Sequence, residues 1–314
     1  MGNYVFRRVL IMLPVVIGVM FIVFTLMYIT PGDPVTTMMG GSPDAPTPMR
    51  SEDIEALRAE MGLDDPFLIQ FVSFAFKVLR LDFGTSYHTS LPVFAEISAR
   101  LPATLLLASL GLIIAVLMGI PLGIFCSIKQ NSLFDGIASV LGLIALSIPN
   151  FWLGIMLIFL FAVSLDWLPI SGFTSPWHWI LPSLTLGLSS AGVIMRFTRS
   201  SMLELIRLDF IRTARAKGQK ESIVMVRHAL KNALIPIITV IGLQFGFLLG
   251  GCVLTEAVFA IPGLGQYMVW SVRARNYPVV QGSVLLVALF LCFTNLLVDI
   301  LYAFVDPRVS EQYK

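Results

Sequence analysis

Six stretches of this 314-residue chain contain no Asp, Glu, Lys or Arg: 9–32, 101–128, 136–165, 167–195, 232–255 and 276–298. They run to 24, 28, 30, 29, 24 and 23 residues, and a helix needs about 20 apolar residues to cross a hydrocarbon layer of about 30 Å. Each is long enough to span. The uncharged stretch 257–272 is only 16 residues and is interrupted by Pro262, Gly263 and Gly265, so it does not qualify. Alternating segments of about 10 residues, the mark of a membrane β-barrel, are absent. The chain is 57% hydrophobic and 13% charged, against roughly 25% charged in soluble domains. That much apolar side chain cannot be hidden in one soluble core and excludes a disordered chain. A net charge of +2 gives no basis for nucleic-acid binding, and three cysteines imply no disulfide framework. The expected fold is an all-α integral membrane protein of six transmembrane helices.

The first stretch is read as a retained helix rather than a cleaved signal. Its apolar run from Val9 to Thr30 exceeds the usual signal core, and Pro31-Gly32-Asp33-Pro34 is a poor cleavage site. Arg7 and Arg8 hold the N-terminus in the cytoplasm. With that orientation the cytoplasmic pieces 1–8, 129–135, 196–231 and 299–314 carry 14 Lys/Arg, and the outer pieces carry 7. The positive-inside rule therefore predicts N-in, C-in topology.

Two segments outside the bilayer carry pattern. In 33–100, Ser51-Glu52-Asp53-Ile54-Glu55 begins a helix with acidic residues where the helix dipole favours them, and it stops near Gly62. A second amphipathic helix follows Pro66, with Phe67, Phe71, Phe74 and Val78 at helical spacing. This aromatic stripe packs on the ends of the spans or meets an extracytoplasmic partner. In 196–231, nine Lys/Arg face only Glu204, Asp209 and Glu221. Charge alone suits anionic lipid. Ala214, Ala216 and Gly218, however, group small residues between two apolar periodicities, giving helix, tight turn, helix. Such an element fits a groove in another protein.

That segment resembles the so-called EAA loop of binding-protein-dependent ABC importer permeases. The match to the general pattern is partial: Arg212-Thr213 stands in place of Glu-Ala and His228 in place of Ile. It is much closer to the variant of the dipeptide/oligopeptide/nickel branch, in its first-permease (B-type) form. Arg212-Thr213-Ala214-Arg215-Ala216-Lys217-Gly218 and Arg227-His228-Ala229-Leu230 through Pro236 fit that wording. Pro31–Pro34, Leu63–Pro66, Leu81–Ser86, Leu101–Thr104, Ile148–Gly154, Glu256–Phe259, Pro262–Gly265 and Asp306-Pro307-Arg308 follow in the same order as in that branch. The resemblance covers essentially the whole chain. It implies a type I ABC importer permease fold: residues 1–32 as N-terminus and first span, 33–100 as a small extracytoplasmic helical insertion between helices 1 and 2, 101–305 as the permease core with coupling loop 196–231, and 306–314 as a cytoplasmic tail.

No Gly-x4-Gly-Lys-Ser/Thr occurs, so the chain has no P-loop of its own. Ion-coupled carriers usually hold ionisable groups at membrane depth, and only Asp299, near the end of the sixth span, is a candidate. Pro149 interrupts the third span, and Ser147 and Asn150 either re-satisfy a kink or face a translocation path. Glu256, ending the fifth span, is either an interfacial carboxylate facing water or a group that orients a peptide ammonium or forms an outer gate. His88, His178 and His228 are far apart and the cysteines isolated, so no metal-ligand spacing exists. No catalytic nucleophile–base pair can be assembled.

The resemblance implies a permease subunit, not itself an enzyme, forming half of the pathway for di- or oligopeptides. The implied partners are a second homologous permease, two ABC ATPase subunits carrying ATP and Mg, an extracytoplasmic solute-binding protein and the lipid bilayer. The chain itself holds no cofactor, and its place is the cytoplasmic (inner) membrane of a prokaryote, crossed several times. Coupling to the ATPase falls to Arg212, Thr213, Ala214, Arg215, Ala216, Lys217, Gly218, Glu221, Arg227 and His228; the path falls to Ser147, Pro149, Asn150 and Glu256. A metal chelate or a glutathione-like substrate on the same machinery, an ion-coupled carrier and a membrane scaffold are the alternatives.

Overall fold

The computed structural model describes residues 2–30, 35, 55–56, 58–59 and 62–305, with side chains from Phe6 to Ile300. The motifs Pro31–Pro34 and Asp306–Arg308, the helix start at Ser51–Ile54 and the tail 306–314 lie outside these residues.

The described residues are helical nearly throughout: α1 (Gly2–Ile29), α2 (Phe67–Leu79), α3 (Val93–Ile128), α4 (Leu133–Ser147), α5 (Asn150–Ser164), α6 (Ile180–Ile206), α7 (Asp209–Ala216), α8 (Glu221–Phe259), α9 (Leu264–Arg273) and α10 (Tyr277–Val305). α1, α3, α6, α8 and α10 are each long and apolar enough to cross a membrane, and α4 with α5 supplies a sixth span when that bent pair counts as one. The third span is where the structure departs from a simple kink. α4 and α5 meet at 106°. Pro149 has φ −61° and cannot donate a backbone hydrogen bond, and the residue before it, Ile148, is pushed extended at ψ 126°. Beyond the break the last turn of α5, Ile158–Ser164, widens to a π-helix. Two further boundaries shift. α3 starts at Val93, which takes Glu96 and Arg100 into the helix, and α8 starts at Glu221 rather than near Asn232.

The chain divides into two compact units: residues 1–8, 103–262 and 291–314, and residues 9–102 and 263–290. In the first, α6 is the buried element. Its most apolar 18-residue window is 61% buried, against 11–39% for the other long helices. Lipid tails offer no hydrophobic drive between helices, so close approach through small residues is what holds them. A Cβ built on Gly192 of α6 would lie 2.7 Å from the carbonyl oxygen of Gly142 on α4, and one on Gly119 of α3 would lie 2.9 Å from that of Ala191. At one end of the α4–α6 contact, the Arg199 Nε and Nη2 donate to both carboxylate oxygens of Asp135 at 2.6 and 2.7 Å. Arg8 and Asp299, the candidate intramembrane carboxylate, form an ion pair at 3.2 Å.

In the second unit the aromatic stripe of α2 finds its partners on α1. Phe67 lies 5.0 Å from Tyr28 and Phe71 lies 5.3 Å from Phe21, both edge to face, and Phe74 lies 5.4 Å from Phe24. Loop 82–91 is clipped down by Asn276, which accepts from the Tyr87 N–H at 3.2 Å and donates to Ser86 Oγ at 2.9 Å. The Tyr267 hydroxyl of α9 donates to Glu96 at 2.6 Å, with Arg100 stacked 3.8 Å over its ring. Burial and the Glu96 hydrogen bond push Tyr267 up to about 12.

Two expectations follow. Removing one member of the Asp135–Arg199 pair leaves a buried, uncompensated charge, so Arg199→Ala costs about 3 kcal/mol or more. Unfolding in detergent should show the Asp135→Ala, Arg199→Ala double variant losing clearly less than the sum of the singles. Tyr267 keeps its proton to higher pH folded than unfolded, so the folded state loses stability between its unfolded value near 10 and about 12. Melting curves over that range should flatten in Tyr267→Phe; an unchanged pH dependence would remove Tyr267 as its source.

Candidate functional site

The predicted helix–turn–helix in 196–231 is present. α7 is an eight-residue helix, and Gly218 follows it with φ 73°, a left-handed backbone that glycine adopts without cost. A Cβ at Gly218 would meet nothing within 4 Å, so the conformation, not crowding, explains glycine there. The two sides of the turn are tied by Arg215, which donates from Nη2 and Nε to both Glu221 oxygens at 2.6 and 3.1 Å, and by a 2.8 Å contact between His228 Nε2 and Gln219. The Glu221 hydrogen bond raises Arg215 above its usual value.

The residues assigned to coupling separate into two sets. Ala214 points inward beside Ile211, which is not among them, and both are buried with Met202, Val224, Met225, Ala229, Ala233 and Ile237. Ala214 is therefore a floor on which the turn sits, not a contact surface. Arg212, Thr213, Ala216, Lys217, Gly218 and Arg227 are exposed and form an outward face rich in positive charge. α7 is thus a short, basic, solvent-facing helix held rigidly on the apolar bases of α6 and α8.

The four residues expected along a membrane path do not form one site. Pro149 and Asn150 line a cavity of about 480 Å³ with Ser189, Ser190 and Gln244. Ser147 points elsewhere. Its hydroxyl donates to the Leu143 carbonyl at 3.0 Å, and it lines a mainly apolar hollow with Leu143, Phe151 and Trp152 that adjoins the first at Ile148 and Pro149. Glu256 is not the water-facing interfacial carboxylate considered from sequence. It is completely buried, and Thr104 of α3 donates to its Oε1 at 2.6 Å. α8 runs on to Phe259, four residues past the charge-free interval. The left-handed Ala260, φ 52°, then turns the chain, and the carboxylate stays inside the bundle.

Gln244 was missed because the sequence reading tracked formal charge. It lies in the middle of the uncharged interval 232–255, and a lone amide there is a signal of the same kind as an intramembrane charge. His88, His178 and His228 contact Ala274, Ser175 and Gln219 respectively. Among the described residues no group of three His, Cys, Asp or Glu could hold a metal ion.

Residues 119–311 match the family described as "Binding-protein-dependent transport system inner membrane component", and residues 1–108 match its N-terminal companion. The "Glutathione transport system permease protein GsiC" of Salmonella typhi is 44% identical over 309 residues, covering 98% of this chain and 99% of the relative. The "Dipeptide transport system permease protein DppB" of Alkalihalophilus pseudofirmus is 38% identical over 335 residues, with the same coverage. A solved structure of the MetNI methionine ABC transporter in an inward-facing conformation aligns with TM-score 0.54 at 20% identity, over 67% of this chain and 95% of that one. It shares the fold, that of a type I ABC importer permease. The chain is a multi-pass inner-membrane protein, a permease subunit without an ATPase domain of its own, and it belongs to the family of binding-protein-dependent transport system inner membrane components.

Proposed function

We propose that the chain forms half of the translocation pathway of an ATP-driven importer of short peptides, glutathione-like tripeptides included. A second homologous permease completes the pathway, and two ABC ATPase subunits carrying ATP and Mg drive it. A solute-binding protein delivers substrate from the side opposite the basic turn. The N-in orientation inferred from the basic residues puts α7 and the turn at Gly218 in the cytoplasm, where such ATPases work. The substrate class is supported by near-full-length relatives named for glutathione and dipeptide transport.

The observation that carries the coupling role is the outward basic face of α7 set on a buried apolar floor. A lipid-binding loop needs only charge. This one is cross-tied by Arg215–Glu221 and His228–Gln219, and both α6 and α8 lead directly from it. Closure of an ATPase dimer against Arg212, Thr213, Ala216 and Lys217 would move that rigid piece and, through α6 and α8, bias the pathway between two access states. His228, through Gln219, braces the far side of the turn, and Arg227 adds to the outward basic face. Pro149 and Asn150 line the pathway, while Ser147 and the sealed Glu256 serve the packing of α4 and α8.

The function is tested in membrane vesicles holding the permease with its ATPase and binding protein. Uptake of a labelled di- or tripeptide should require ATP and survive an uncoupler; uptake that persists without ATP and collapses with the uncoupler would identify an ion-coupled carrier instead. Two variants separate floor from face. Ala214→Asp buries a charge among Met202, Val224 and Met225, so the turn should lose order and the protein about 3 kcal/mol or more. Lys217→Glu should insert and melt like the parent, since surface substitutions stay within about 0.5 kcal/mol, yet lose most ATP-driven uptake. Normal uptake by Lys217→Glu together with Arg212→Glu would remove the docking role.

A further inference from the structure

The cavity at the break of the third span does not stand alone. The 480 Å³ space beside Asn150, Ser190 and Gln244 shares Leu146 and Val193 with a second cavity of about 410 Å³, whose wall includes Arg196 and Ser200. That one shares Arg196 and Ser200 with a third of about 490 Å³ beside Ser139 and Arg199. Together they make one furrow along α4 and α6, entirely within the unit that contains residues 103–262.

Its two ends differ in chemistry. At the upper end Gln244 is only 6% exposed, and among the described residues its amide has no hydrogen-bond partner. Burying an amide without a partner is unfavourable, and a side chain that carries both donors and an acceptor into an open cavity is built to meet a group with the same needs. Asn150 and Ser190 stand on the same wall and are likewise uncharged. At the lower end Arg196 is exposed, and among the described residues no carboxylate lies within ion-pair distance of it. Its neighbour Arg199 is already engaged by Asp135. The furrow therefore offers neutral amide readers at membrane depth and one available guanidinium below them.

A linear peptide carries that pair of features, with backbone N–H and C=O groups leading to a free carboxylate. The spacing agrees. Ser190 and Arg196 are six residues apart on α6, about 9 Å at about 1.5 Å per residue, and an extended peptide of two or three residues covers about the same length. We propose that this furrow is a binding site for a short linear peptide in transit, with Gln244 and Asn150 on its backbone amides and Arg196 on a carboxylate. The proposal rests on the importer reading and adds a site that selects for the peptide inside the permease itself.

The test uses the full transporter, with its ATPase and binding protein, in membrane vesicles and a tripeptide bearing a photoreactive benzophenone side chain. The same tripeptide with an amidated C-terminus serves as the second probe. Labelled fragments should map to α4 and α6. Gln244→Leu should lower labelling by both probes about tenfold, the scale of one neutral hydrogen bond. Arg196→Gln should bring the free-carboxylate probe down to the level of the amidated one, and Arg196→Lys should largely restore the difference. Arg196 is exposed, so its variants should insert in the membrane as the parent does. If the parent imports the tripeptide on ATP while both variants label like it, the furrow is not the site and the importer reading stands. If the parent imports no peptide at all, the importer reading fails and the site fails with it.

Discussion

The close backbone approach of α6 to α3 and α4 is the constraint on which the larger unit depends. Within a bilayer, helices gain little from hiding apolar surface from one another, because lipid is as apolar as they are. They associate where small residues let them touch, and the contact of Gly192 with Gly142 and that of Gly119 with Ala191 are such places. α6 is accordingly the most buried long helix although its window is the least hydrophobic of the five, 1.4 against 2.2–2.9. It carries Ser189 and Ser190 on the cavity wall and, through Arg207 and Leu208, leads into α7. One packed element thus joins the space where a solute would pass to the surface where force would be applied.

Two kinds of polar group stand out along the bundle and its cytoplasmic end. Asp135 with Arg199 and Glu256 with Thr104 are satisfied inside the protein and hold helices together. Gln244 and Arg196 are not satisfied by the described residues, and both open onto the α4–α6 furrow. Gln244 is buried where polar groups are normally paired, Arg196 is exposed, and what the two share is a cavity wall. That distinction also explains how a pathway can remain almost free of charge. In the proposed site neutral amides would meet a peptide backbone, and a single guanidinium its carboxylate.

Much of this was legible in the sequence, for identifiable reasons. Charge is so costly in hydrocarbon that the gaps between charges outlined the spans, and helical spacing of Phe67, Phe71 and Phe74 located α2. The grouping of Ala214, Ala216 and Gly218 located the turn. What could not be read were properties decided by which helix meets which. Pro149 announced a break, but its 106° angle depends on the packing of α4 and α5 against neighbours. Glu256 looked interfacial because the charge-free interval ends there, whereas its environment is set by Thr104, 152 residues away. Ala214 and Lys217 belong to one motif, yet one faces the core and the other water, because α7 ends at Ala216 and Lys217 already belongs to the turn at Gly218. Gln244 could have been noticed, since a lone amide in the middle of an uncharged span is unusual, but its relation to Asn150 requires the fold.

The central claim is that the basic face of the 209–218 turn engages an ATPase rather than lipid. The most direct measurement places a photo-crosslinking amino acid at Lys217 in membranes containing the transporter with its partner subunits. The account predicts a single protein adduct, formed with the ATP-hydrolysing subunit and changed in yield when ATP is bound without being hydrolysed. Adducts with phospholipid alone, indifferent to nucleotide, would contradict it.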